Sequence, residues 1–390
     1  MSGAAGDQED VETQTRGRAE KMNGSLLIRG SLLLAAVLLP IFASAQSFRT
    51  DGGDEKLPWF QLQPGDFPPE GSAHHIAGEL IAVDHINRTG ILRQDRTDAI
   101  SRSHWDEPLP FTMLSFGSLS FHGAPAEIRD IPLGTHLHGQ FYWEPKAGKD
   151  GKGAFTKAIL LEDDFSYYVR QQRTWRVDTV DLEKSTLTVT AVDAGGKPTE
   201  AKPANFVVNA ATRIWKGRAI GTLADLAAGQ TLLINLTVCT LKGPGRCTDI
   251  WVDAESREVA RMQQVEVHRQ FEREHGLPGR VEAVDNQQGI ITMALFAGFD
   301  PKIMEDFEAK GTVSSAVSED NLRTYDQGSD RMKGDVLEIT NLTPGPGDSG
   351  IRIKFKPVTL LEGNRPKKIL RLFSGKWKVD DIPKEERLYQ

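Results

Sequence analysis

Gly78-Glu-Leu-Ile-Ala-Val-Asp84, Trp175-Arg-Val-Asp-Thr-Val-Asp181 and Gly279-Arg-Val-Glu-Ala-Val-Asp285 are three versions of one phrase, an apolar-alternating run ending in Val-Asp. Their valines, Val83, Val180 and Val284, stand 97 and 104 residues apart. A second element follows each: Gly134-Thr, Gly229-Gln and Gly334-Asp lie 51, 49 and 50 residues beyond their valine. A spacing matched twice predicts three copies of one small module. Alternation at period two, bounded by turn residues, predicts half-buried strands in hairpins. The clearest are residues 185–192, Ser-Thr-Leu-Thr-Val-Thr-Ala-Val, and 290–296, Ile-Ile-Thr-Met-Ala-Leu-Phe.

The first two copies align without a gap from Phe111 and Phe206, which pairs Asp130 with Asp225 and Gly134 with Gly229. Their common ending, Asp-apolar-x-x-Gly before an apolar run, predicts a tight turn re-entering a sheet. About five short strands per copy is the size of a small OB-like barrel. One helix interrupts the pattern. Asp253 caps residues 254–275, with Gly276 and Pro278 as stop signals and Val259, Met262, Val265 and Phe271 as the apolar stripe. A shorter helical stretch, 163–173, closes the first copy. Both read as braces that plug or join barrels.

The segment Thr212-Arg-Ile-Trp215, followed by Asp225-Leu-Ala-Ala-Gly-Gln-Thr-Leu-Leu-Ile234, resembles exported bacterial proteins carrying repeated OB-like small β-barrel domains of unknown function. The match covers the second copy well, the first moderately and the third weakly. It implies a fold and no catalytic residues.

Bulk properties narrow the function. The formal net charge of −7 argues against a nucleic-acid binder. Residues 31–42 are an apolar run before Ala43-Ser-Ala45, the layout of a secretory signal, too short for a comfortable membrane span. The acidic stretch before it fits poorly and Met22 would start it better, so residues 1–21 read as a non-native extension. Cleavage would leave an exported chain without a transmembrane anchor. Export favours a disulfide between Cys239 and Cys247, which flank a Gly-Pro-Gly turn.

Three constellations could carry chemistry. Seven of the nine histidines fall between positions 74 and 138. In Thr135-His136-Leu-His138 both imidazoles share one strand face, half of a metal site. Leu137 aligns with Leu232 and Leu337 as the core residue, so the histidines point outward, with His122 or Asp130 as third ligand. The bland alternative is a pair of surface histidines. The second constellation is basic: Arg352, Lys354, Lys356, Arg365, Lys367, Lys368 and Arg371 suit an acidic polysaccharide or another anionic surface, though lysines on edge strands also discourage aggregation. The third, Gly347-Asp-Ser-Gly350, imitates a serine-protease nucleophile loop. It lacks that family's histidine segment, and a Gly/Pro turn explains it. No phosphate-cradling or dinucleotide glycine motif occurs.

The expectation is a mainly β chain of three tandem small OB-like β-barrels with one long connecting helix and a short one. Residues 1–45 form the signal and extension, 46–72 a linker, 73–173 the first barrel with a long insert at 103–132, 174–276 the second with its C-terminal helix, and 277–390 the third with its basic tail. The expected function is an exported, non-enzymatic binding or scaffold protein without a cofactor, contacting anionic polymers through the third domain. One alternative is a metal-binding protein holding zinc or copper on His122, His136 and His138. Another is a hydrolase of unknown substrate.

Overall fold

In the structure, a computed structural model, the quoted hairpins are the first staves of three closed β-barrels. It describes residues 60–95, 108–144, 154–237, 245–325, 327–378 and 380–388. The signal segment, most of the linker, His104 and Cys239 lie outside these, so the disulfide does too. Cys247 is buried.

Barrel 1 holds β1 (His74–Asp84), β2 (Thr89–Gln94), β3 (Pro108–Phe121), β4 (Ala124–Ala126), β5 (His136–Glu144) and β6 (Ala154–Asp163). The ring runs β1–β2–β3–β6–β5 and back to β1, with β3 and β6 parallel and the other pairs antiparallel. Barrel 2 holds β7 (Arg173–Asp181), β8 (Thr186–Asp193), β9 (Ala204–Val207), β10 (Arg213–Lys216), β11 (Ala219–Ile220), β12 (Thr231–Leu236) and β13 (Gly245–Trp251). It closes in the same order, β7–β8–β9–β13–β12, with the same single parallel step. Both are OB-like Greek-key barrels. Residues 103–132, expected as an insert, are from Pro108 onward barrel wall: β3, β4 and a 3-10 turn.

The repeat is strictest at the hairpin. Each first strand carries a bulge at one offset from its valine, between Leu80 and Ala82, Val177 and Thr179, and Val281 and Ala283. The residue before the bulge is buried, and a distant turn grips both of its backbone groups. Leu80 donates to Thr135 O and accepts from Gly134 N, at 2.9 and 2.7 Å; Val177 does so with Gln230 O and Gly229 N, both at 2.8 Å. Gly134 and Gly229 adopt φ +89° and +84°, the left-handed conformation that glycine takes without a Cβ penalty. The aspartates act as expected: Asp130 and Asp225 accept the backbone N–H of Glu127 and Thr222, closing a 3-10 turn in each barrel.

Barrel 3 departs from the expectation. Its strands, β14 (Leu277–Asp285), β15 (Ile290–Phe296), β16 (Thr312–Ser318), β17 (Met332–Asn341), β18 (Asp348–Pro357) and β19 (Ile369–Ser374), form an all-antiparallel ring β14–β15–β18–β17–β16–β19. The turn gripping Val281 is Lys367-Lys368, with Lys367 at φ +72°. Gly334 is therefore not the counterpart of Gly134. It opens a fourth copy of the hairpin phrase, Gly334-Asp-Val-Leu-Glu-Ile339, whose bulge falls between Val336 and Glu338. Lys310 (φ +69°) and Gly311 grip Val336 in the same way. A Cβ on Gly78, Gly279 or Gly334 would meet a neighbouring carbonyl oxygen at 2.5, 2.4 or 2.6 Å, so all three mark one close backbone approach. Barrel 3 is thus two interlocked copies of hairpin plus strand. Leu337, aligned with the core residue Leu137, is instead a bulge residue and exposed, like Ile81.

Each barrel has its own apolar core, built around Leu80, Leu92 and Phe141 in the first, Val177, Leu187 and Ile250 in the second, and Ile291, Ile353 and Phe355 in the third. A fourth cluster, with Phe116, Tyr142 and Ile159 against Phe296, Leu322 and Ile369, joins barrels 1 and 3. Helix α1 (Asp164–Arg170) sends Phe165 and Tyr168 into the barrel 2 core. Helix α2 (Ala254–His275) begins and ends where Asp253 and Gly276 predict. Its apolar stripe does not hold: Met262 is exposed, and the buried face carries Ser256, Gln264, His268, Glu272 and His275 beside Val265. No helix among the described residues is long and apolar enough to cross a membrane.

Candidate functional site

Strand β5 alternates as predicted, with Leu137 in the core and His136 and His138 on the opposite face. That face is not open. α1 and barrel 2 cover it, leaving His136 only 3% exposed. β6 ends directly in α1, and this junction sets Asp163 and Asp164 against both barrels. Asp163 caps α1 through Ser166 N and accepts from Asn235 Nδ2 of barrel 2 at 2.7 Å. Asp164 points back at the histidines. Its Oδ1 faces His136 Nδ1 at 2.8 Å and His138 Nε2 at 3.0 Å, while Oδ2 accepts Leu236 N of barrel 2 at 2.9 Å.

The contacts continue outward on both sides. His136 Nε2 meets Asp95 Oδ2 at 2.9 Å, and His138 Nδ1 meets His75 Nε2 at 3.3 Å. The result is one chain, Asp95–His136–Asp164–His138–His75. Tyr167 of α1 stacks on His138, 3.7 Å between centroids and 9° from parallel. Burial pushes the His75 imidazole down to about 4, with His138 and His136 adding to the effect. Burial also lowers His138, against the opposing hydrogen bond to Asp164. Burial alone would raise the Asp164 carboxyl; the His136 charge and the hydrogen bonds from both imidazoles outweigh it and hold Asp164 well below the usual range.

These directions fix the protons. Neutral His138 donates from Nε2 to Asp164 and accepts at Nδ1 from His75. His136 has a carboxylate, an acceptor only, at each nitrogen, so its ring donates twice and carries a positive charge. Among the described residues, two carboxylates and one imidazolium leave this chain of contacts one positive charge short. Glu162 beside it is balanced separately by Arg170, at 2.8 and 2.9 Å.

His122, expected as the third ligand, stands apart. Its ring stacks on Phe121 at 3.7 Å and meets the edge of Trp251 at 4.9 Å, and its backbone N–H donates to Asp163. Asp130, the other candidate, is held by Gln264 and by the N–H of Glu127. Asp164 fills the place instead. Asp164 was not among the expected ligands; the signal available was the second aspartate of Glu162-Asp-Asp164, one more than capping requires.

A second group of possible ligands, Glu127, His268 and Glu272, sits between barrel 1, α2 and barrel 3. The guanidiniums of Arg88 and Arg371 are buried with it, held by the carbonyls of Leu114, Gly117, His275, Gly276 and Leu322. Glu127, held low by Arg88 against its burial, faces two cations there, and Glu272, pushed up to about 8 by burial, keeps its proton near neutral pH. A divalent ion would add charge where none is owed.

The basic tract does not make one face. Arg371, expected to bind anions, is 4% exposed and braces the end of α2. Arg352 is held by Glu282 and Asp348, Lys354 by Glu338, Arg365 by Glu362, and Lys367 lies beside Asp66. Lys356 and Lys368 are exposed. Ser349 donates to Leu295 O and has no histidine partner among the described residues; the protease-like tetrad is the end of a turn at Gly347 and the start of β18. Searches against family models, curated proteins and solved structures found no match.

Proposed function

We propose that the protein is an exported, non-enzymatic binding protein whose first barrel holds a divalent transition metal, zinc or copper, on His136, His138 and Asp164. The observation that carries this reading is the convergence of two imidazole nitrogens and a carboxylate oxygen on a buried point that is one positive charge short. Two imidazoles and a carboxylate suit these metals. Bonds of about 2.0–2.1 Å place tetrahedral ligand atoms about 3.3 Å apart, a few tenths beyond the 2.8 and 3.0 Å found here. A divalent metal would displace the proton on His136 Nδ1 and shift that of His138 from Nε2 to Nδ1, toward His75, leaving both rings neutral and the two carboxylates balanced by the metal. Asp95 and His75 would then orient the two ligating rings from behind, as such partners do in metal sites.

Among the described residues no serine, threonine or cysteine is hydrogen-bonded to the histidine chain. The reading of barrel 3 as an anion surface loses support because four of its seven candidate cations, Arg352, Lys354, Arg365 and Lys367, stand beside carboxylates and Arg371 is buried. Export rests on the signal-like segment alone.

The test is metal uptake. Chelator-treated protein is titrated with zinc and copper by calorimetry, beside a His136→Ala/His138→Ala variant. One equivalent bound by the wild type and lost in the variant supports the proposal. A wild type that takes up neither ion, or a variant that binds equally well, overturns it.

A further inference from the structure

A groove of about 510 Å³ opens between α1 and the first turns of α2, against barrel 2. Phe165, Val169, Leu233 and Ala254 form its apolar lining. Phe165 and Leu233 belong to the barrel 2 core, so the floor is fixed by packing. Val169 is an aliphatic side chain left 46% exposed. Arg173, Arg257 and Arg261 also line the groove.

The three arginines differ in what they face. Arg261 is fully engaged by Glu258, at 2.7 and 2.9 Å. Arg257 spends Nη2 on the carbonyl of Thr231, has no carboxylate partner, and leaves its Nε without an acceptor. Burial lowers its pKa against a weaker pull from Asp253, as expected for a cation drawn from water without a counter-ion in contact. The Arg173 side chain makes no hydrogen bond or ion pair among the described residues. Ala254 is the first residue of α2, where the helix dipole also favours negative charge.

We infer that this groove binds a small amphipathic anion, a carboxylate on a medium-length apolar chain, with the chain on Phe165, Val169 and Leu233 and the carboxylate between Arg173 and Arg257. The volume lies within the range of about 300–1,000 Å³ usual for small-molecule sites. A neutral chain would leave the two cations uncompensated, and a bare carboxylate would leave the apolar floor in water. The inference is independent of the metal proposal.

The test is a calorimetric titration of the full chain with sodium decanoate below micelle-forming concentrations, with decan-1-ol and acetate as chain-only and headgroup-only probes. Decanoate is expected to bind at least tenfold more tightly than either. Arg257→Ala should weaken it tenfold or more. Val169→Asp, at a position left 46% exposed, should abolish binding while lowering the melting temperature by only a few degrees. Absence of decanoate binding, equal binding of decan-1-ol, or binding indifferent to Val169→Asp would overturn the inference.

Discussion

Replacing Glu272 by glutamine should make the protein's stability less dependent on pH, and by a calculable amount. Glu272 is buried on α2 and its Oε2 has no hydrogen-bond partner. Burial pushes its carboxyl from 4.5 up to about 8, with Arg371 and Arg88 opposing the rise and Glu127 adding to it. Below the ordinary glutamate value the folded and unfolded chains both hold the proton. Between that value and about 8 only the folded chain holds it, so raising the pH favours unfolding; above about 8 the loss is complete. Each pH unit in the window costs roughly 1.4 kcal/mol. From about pH 5.5 to about pH 7.5 this residue should therefore remove about 2–3 kcal/mol of stability, which the neutral glutamine cannot do. Urea unfolding of both proteins across that range gives the difference directly, since every other titrating group is shared. The gap between the two proteins should widen in favour of the Glu272→Gln variant as the pH rises. A gap that stays flat, or widens the other way, refutes the assignment of a protonated buried acid.

Three further outcomes test the joints and turns. Asp164→Asn in metal-free protein leaves the His136 charge with Asp95 alone, and urea unfolding should register a loss on the order of 3–5 kcal/mol; a loss below about 1 kcal/mol would show that Asp164 is not the link between barrels 1 and 2. Lys310→Gly frees an exposed left-handed residue of its Cβ and should raise stability by up to roughly 1 kcal/mol, read as a higher melting temperature. Gly334→Ala drives a Cβ against Lys356 O and should cost roughly 1–3 kcal/mol, with the unfolding midpoint as readout.

The hairpin, the Asp-x-x-x-Gly turn and the long helix were legible because each is decided locally: alternation, a capping oxygen, a left-handed glycine. Errors arose where geometry was met by an unexpected residue. In barrel 3 the gripping turns use Lys310 and Lys367 where barrels 1 and 2 use glycine, so the glycine signal pointed to Gly334, which matched the spacing but serves as a strand position. The candidate site was half legible. Spacing placed His136 and His138 together, but which carboxylate joins them depends on how β6 turns into α1, a tertiary matter. The same holds for the basic tract. Its neutralising partners Glu282 and Glu338 come from other strands, brought alongside only by the ring of barrel 3. The polar face of α2 was hidden because its partners, such as Pro125 and Asp130, lie more than a hundred residues earlier.

The two-part build of barrel 3 bears on how it can be taken apart. Severed between β16 and β17, it would yield two fragments of the same kind, neither with a mate for its edges except the other. Such pieces should stay unstructured separately and reassemble on mixing, and each would offer its partner's seat to a second copy of itself.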